Sequence, residues 1–228
     1  MMKERTGANF VIFVPGGLQE TPQSEEICFT SKATMEDDEL IAMIEYAKEI
    51  GLRVALKPTV NCKNGTWRAH INFFDEDVPC EPKWENWFAS YTEFQTHYAK
   101  IAEAEQCDLF IAGCEMVMTE HRSEEWRNVI AAIRNYYHGP VSYNTDKYQE
   151  ENVTWWDCVD MISSSGYYPI DQWEQELDRI ERVVQKFKKP FFFAEAGCMS
   201  RKGSSLVPNN WAIQGDLRLE EQPDWYRA

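Results

Sequence analysis

A chain of 228 residues is long enough for one sizeable hydrophobic core, and residues 1–228 read as a single domain. The net charge of −15 repels nucleic-acid phosphates and anionic membranes, so neither is expected as a partner. It fits an uncharged substrate, and equally an acidic coat kept for solubility.

Residues 10–14 (Phe-Val-Ile-Phe-Val) predict a strand, followed by a Pro-Gly-Gly loop through Glu25, Glu26 and Cys28. A helix is expected from about Thr34, where Thr34 and Asp37 have capping-box-like spacing. Leu40, Ile41, Ile44 and Ala47 form its stripe and Gly51 ends it. Residues 53–57 form a second strand stopped by Pro58. The stretch 59–83 reads as a long loop carrying Trp67, His70, Phe73 and Phe74.

A helix over 84–105 places Trp84, Trp87, Phe88, Tyr91, Phe94, Tyr98 and Ile101 on one broad face. The third strand, 109–112, leads to Glu115. Ser123 is the expected N-cap of a helix over 124–137 with Trp126, Val129, Ile130 and Ile133 inward, ended by His138-Gly139-Pro140. Two short strands follow, 141–144 and 159–165, the second running into Gly166-Tyr167-Tyr168-Pro169. A helix near 171–188 uses Trp173, Leu177, Ile180, Val183 and Phe187, and the sixth strand is 191–194. A Gly/Ser/Pro/Asn-rich stretch then runs to about 216, and residues 220–228 begin a last helix.

Six strands alternating with helices or long loops imply a parallel sheet with right-handed crossovers. Two apolar runs end in acids: Leu109-Phe110-Ile111-Ala112-Gly113-Cys114-Glu115 and Phe191-Phe192-Phe193-Ala194-Glu195. Such a run reads as a buried strand delivering a carboxylate to its C-terminal edge. Two deliveries point to a barrel with a carboxylate pair, the equipment of glycoside hydrolysis. The bland alternative for each acid is a helix N-terminal charge or a salt-bridge partner.

Other chemistries find little support. The four His show no ligand spacing, no Gly-rich phosphate loop follows a strand and no GxSxG elbow occurs, so neither a metal nor a cofactor is expected. Seven Cys, an odd number without CxxC, suit a reducing compartment, and a cytoplasmic location is expected. No secretory signal or membrane-spanning run is visible.

The ordered motifs resemble glycoside hydrolase family 113, a clan A group of (β/α)8-barrel β-mannanases. They are Leu56-Lys57-Pro58, Trp87-Phe88 with Tyr91, Phe110 through Met116, Tyr143-Asn144, Ser165-Gly166-Tyr167-Tyr168-Pro169, Phe193-Ala194-Glu195-Ala196-Gly197 and Leu219-Glu220-Glu221-Gln222. The resemblance spans roughly residues 9–228. It implies an acid/base Glu after barrel strand 4 and a nucleophile Glu after strand 7, hence Glu115 and Glu195. It implies retaining cleavage of β-1,4-mannosidic linkages, with another β-glycan as the alternative substrate. Two residues depart from the pattern: Cys114 stands where clan A often has Asn, and Thr59 follows Lys-Pro where many members carry His.

Counted this way, the chain supplies strands 2 to 7 of a TIM barrel with about six parallel strands, and strands 1 and 8 are missing. An open C-shaped sheet is expected, with apolar edges at residues 10–14 and 191–193 that invite self-association. Loss of the two strands also raises the alternative of a non-catalytic carbohydrate-binding remnant. Candidate sugar contacts are Lys57, Trp67, Tyr143, Asn144, Tyr167 and Trp211. Lys57 can equally pair with a neighbouring acid, and Trp67 and Trp211 can equally anchor loops. Tyr167 or Tyr168 is expected to hydrogen-bond Glu195.

Overall fold

The computed structural model describes residues 2–228. A short helix α1 (Met2–Thr6) precedes β1 (Phe10–Phe13) and β2 (Gly16–Gln19). Then come α2 (Asp37–Glu49), β3 (Arg53–Leu56), β4 (Thr59–Cys62) and α3 (Trp84–Ala104). They are followed by β5 (Leu109–Cys114), α4 (Ser123–Arg134), β6 (Val141–Thr145) and β7 (Met161–Ser165). The last elements are α5 (Trp173–Phe187), β8 (Phe191–Glu195) and α6 (Glu221–Arg227).

Six strands pair in parallel in the order β1-β3-β5-β6-β7-β8, a curled half-barrel consistent with an incomplete (β/α)8 barrel. Among the described residues β1 and β8 each pair with one strand only, so the sheet stays open as expected. No helix of the described residues is long and apolar enough to cross a membrane.

Strand alternation divides the apolar residues between two faces. Val54, Leu56, Phe110, Ala112, Val141, Tyr143 and Ile162 point to the helix layer and join the main core. There Trp126 stacks on Trp155 with ring centroids 4.9 Å apart, and Tyr143 packs against both. Phe10, Ile12, Ala55, Leu109, Ile111, Met161, Phe192 and Ala194 face inward as a smaller cluster. The inward cluster lines an open apolar cavity at the bottom of the half-barrel, bordered by Phe10, Ile12, Leu109, Met161 and Phe192, and leaves the C-terminal strand ends for polar side chains.

Several local expectations change. Helix α2 starts at Asp37, with no side-chain cap. The Thr34 hydroxyl instead donates to Phe29 O at 3.0 Å and Ser31 O at 2.8 Å, which closes the preceding loop. Ser123 lies inside α4 and does not cap it. Leu177 is exposed, because α5 turns Glu176, Ile180 and Val183 inward, with Glu176 paired to Arg179. The region read as loop on both sides of Lys57 contains a second small sheet, β2 paired in parallel with β4. Its strands are four residues long and rich in Gly, Thr and Asn, so they carry no apolar run.

Candidate active site

Glu115 reaches the C-terminal end of the barrel through an irregularity in β5. The β5–β6 register shifts between Ile111 and Cys114, the mark of a bulge. Gly113 adopts φ +108°, and a Cβ there would collide with the Tyr91 hydroxyl, so this position requires glycine. Glu115 itself sits at φ +52°, a left-handed conformation costing roughly 1–2 kcal/mol for a residue with a side chain. Its N–H donates to Asn144 O at 2.7 Å, which holds that conformation in place. A second register shift, between Ser164 and Ser165, lies beside Glu195 on β8. Both acids therefore stand where the ladder is locally re-aimed.

The two carboxyl groups converge. One oxygen of Glu115, one of Glu195 and the Cys114 sulfur all lie within 4.8 Å of one another. Their surroundings differ. Glu195 forms an ion pair through Oε1 with the ammonium of Lys57, which is only 3% exposed. The same Oε1 accepts from Cys114 Sγ at 3.2 Å, and Oε2 accepts from the Tyr167 hydroxyl at 2.9 Å. Burial opposes ionisation of Glu195, but the Lys57 charge and these three donors outweigh it and hold the carboxyl below its ordinary range. Burial, reinforced by the Glu195 charge, pushes the Tyr167 phenol up, so it stays a donor.

Glu115 is held more loosely on its cleft side. Oε1 accepts from Ser165 Oγ at 2.8 Å. Oε2 accepts from Trp67 Nε1 at 3.2 Å and lies 3.5 Å from Arg68 Nη1. Trp67 is 42% exposed, so the Oε2 edge is the one turned to the mouth of the site. Close by, burial and the Glu115 charge push Asp146 up to about 6, and burial lowers Lys147.

The other expected contacts separate into two groups. Trp211 is exposed and meets Tyr167 edge-on at 5.8 Å, which puts it on the rim beside Glu195. Trp67 is on the rim beside Glu115. Lys57 and Asn144 are buried beneath the pair, where Lys57 Nζ donates to Asn144 Oδ1 at 3.2 Å. They support the acids from below instead of facing a sugar. Tyr143 is corrected outright. It is fully buried on the helix-facing side of β6, and its hydroxyl donates to Glu120 Oε1 at 2.7 Å. Of the tyrosine pair, Tyr167 is the one that reaches Glu195, while Tyr168 turns outward to Glu150 at 2.6 Å.

Arg68 and Ser165 are not among the site residues expected from the sequence, where Ser165 enters only as the start of a family motif. Ser165 was findable: Ile162 is an outward apolar residue of β7, so period-two alternation puts 163 and 165 inward. Arg68 sits in an aperiodic stretch with no such signal. The Cys114, Glu115 and Glu195 atoms are close enough to suggest a cation site, but Lys57 already neutralises Glu195. Burial also keeps the Cys114 thiol protonated. A metal ion would have to displace both.

An open β/α barrel with paired carboxylates at its strand ends defines a glycoside hydrolase site. The model of glycoside hydrolase family 113 matches residues 1–228, and the chain belongs to that family. A solved family 113 β-1,4-mannanase is 57% identical, with a TM-score of 0.97, covering 99% of this chain and 73% of its own. The β-mannanase of Alicyclobacillus acidocaldarius, solved in complex with ManMIm, is 42% identical with a TM-score of 0.93 and the same coverage. A β-D-glucuronidase from Dictyoglomus thermophilum shares the fold alone, at 16% identity and a TM-score of 0.63, over 99% of this chain and 36% of its own. No curated protein matches the chain.

Proposed function

We propose that the chain hydrolyses β-1,4-mannosidic linkages of mannan-type glycans with retention, using Glu195 as nucleophile and Glu115 as acid/base. One observation carries this reading: two carboxylate oxygens within 4.8 Å of one another in unlike surroundings. Retaining enzymes hold their acids about 5–5.5 Å apart, and inverting ones about 6.5–9.5 Å, to leave room for a water. The short spacing therefore supports double displacement. The choice of mannan leans on the two β-mannanases at 57% and 42% identity.

Glu195 is kept ionised by Lys57 and Tyr167, as an attacking group must be. It displaces the leaving oxygen at the anomeric carbon while Glu115 gives that oxygen a proton. Glu115, now a carboxylate, then takes a proton from water, which attacks the same carbon and releases Glu195. The indole faces of Trp67 and Trp211 suit the C–H faces of sugar rings on the two sides of the cleaved bond.

The test is hydrolysis of mannan, cellulose and xylan oligosaccharides with NMR observation of the first anomer formed. Release of β-anomer from mannan, abolished in Glu195→Ala, is expected. Release of α-anomer would refute the assigned roles, and cleavage of only another glycan would refute the substrate. Binding without turnover would favour a carbohydrate-binding remnant.

A further inference from the structure

Beneath the cleft a line of buried polar side chains connects the two acids. Lys57 Nζ contacts both Glu195 Oε1 and Asn144 Oδ1. Asn144 Nδ2 donates to Ser165 Oγ at 3.1 Å, and Ser165 Oγ lies 2.8 Å from Glu115 Oε1. Asn144 and Ser165 are both fully buried.

The direction of each bond follows from donor chemistry. Lys57 has only protons to offer, so the amide oxygen of Asn144 must face it. That turns the Asn144 NH2 toward Ser165, whose oxygen becomes an acceptor. A hydroxyl has one proton, and Ser165 can direct it only to Glu115 Oε1. The ammonium that neutralises the nucleophile thereby sets which way the serine proton points.

We infer that Ser165 is a positioning residue for the acid/base. Its hydroxyl, oriented by Asn144, occupies Oε1 of Glu115, so that Oε2, which meets Trp67 Nε1 at 3.2 Å and Arg68 Nη1 at 3.5 Å at the mouth of the site, is the oxygen that carries the proton to the leaving group. This rests on the assignment of Glu115 proposed above. Without the hydroxyl the Glu115 carboxyl can rotate or place its proton on the buried oxygen, where no leaving group reaches it. Attack by Glu195 is untouched, so in the first step, the one that kcat/KM reports, the defect belongs to leaving-group protonation.

Aryl β-mannobiosides test this, with leaving groups from dinitrophenol, which needs no proton, to unsubstituted phenol, which does. For Ser165→Ala, kcat/KM on the phenyl substrate should fall about tenfold, the worth of one buried hydrogen bond, and stay within about twofold of wild type on the dinitrophenyl substrate. Ser165→Thr, which keeps the hydroxyl, should restore the phenyl rate. If Ser165→Ala does not fold, Ser165→Cys keeps the volume with a weak donor and should show the same leaving-group dependence.

A loss equal across the series, or no loss, overturns the role of Ser165. Glu115→Ala separates that failure from failure of the underlying assignment. If Glu115→Ala is leaving-group dependent and the Ser165 variants are not, only the positioning role falls. If Glu115→Ala shows no such dependence, or wild type cleaves no mannoside, both fall.

Discussion

Replacing Lys57 with Met removes the cation paired with the half-buried nucleophile. Lys57 is 3% exposed and in contact with Glu195, whose side chain is 27% exposed. At contact distance and an effective dielectric near 20, the attraction is on the order of 4 kcal/mol. Tyr167 and Cys114 still donate in the variant, and water can enter, so they offset part of this loss, and we expect the acidic limb of kcat/KM to move to higher pH.

The sign follows from the ionised form being the active one. Glu195 is held below the ordinary carboxylate range, so its contribution to stability is present above the unfolded value of about 4.3 and is lost as pH falls through the folded value. Lys57→Met should therefore cost stability most at neutral pH, about 3 kcal/mol, with the gap to wild type narrowing on acidification. Kinetics across the acidic range and urea melts at neutral and acidic pH measure both effects. An acidic limb that does not move, in an enzyme that still turns over, refutes the claim that Lys57 holds the nucleophile ionised.

Gly113→Ala should lose activity and roughly 2–3 kcal/mol, because a Cβ meets the Tyr91 hydroxyl at a positive φ that aims Glu115. Gly65→Ala, also at positive φ but with open space around it, is the control in thermal melts and should keep its turnover. Glu120 gives a pH prediction away from the reaction. Burial, with the Asp146 and Glu150 charges, pushes it up to about 8, and its Oε2 has no hydrogen-bond partner. Folding therefore holds a proton that the unfolded chain releases, and stability falls between about pH 4.3 and 8. Glu120→Gln keeps the acceptor for Tyr143 and Thr145, so its melting temperature should gain on wild type as pH rises through that window. A constant difference across the window would show that Glu120 is already ionised.

What the sequence revealed depends on the kind of signal each residue carries. Four of the six barrel strands, β1, β3, β5 and β8, carry apolar runs, and both glutamates sit where such runs end, so their delivery to one site was legible. The β2–β4 pair was not, since each four-residue strand carries only isolated apolar residues, Leu18 in β2 and Val60 and Cys62 in β4, and its pairing follows from the paths of the chain after β1 and after β3.

Facing is the subtler case. Tyr143 and Asn144 are neighbours on one strand and cannot both enter the cleft. Val141, apolar and outward, already placed Tyr143 with it and Asn144 with Ser142, and the same parity from Ile162 placed Ser165 inward. On β5 parity offers no help, because all six residues are buried and the bulge at Gly113 resets the alternation before Glu115. There only the glycine hints at the irregularity. The direction in which Glu115 points is a property of the bulge and its contact with Asn144 O, two strands' worth of structure that no single run of residues contains.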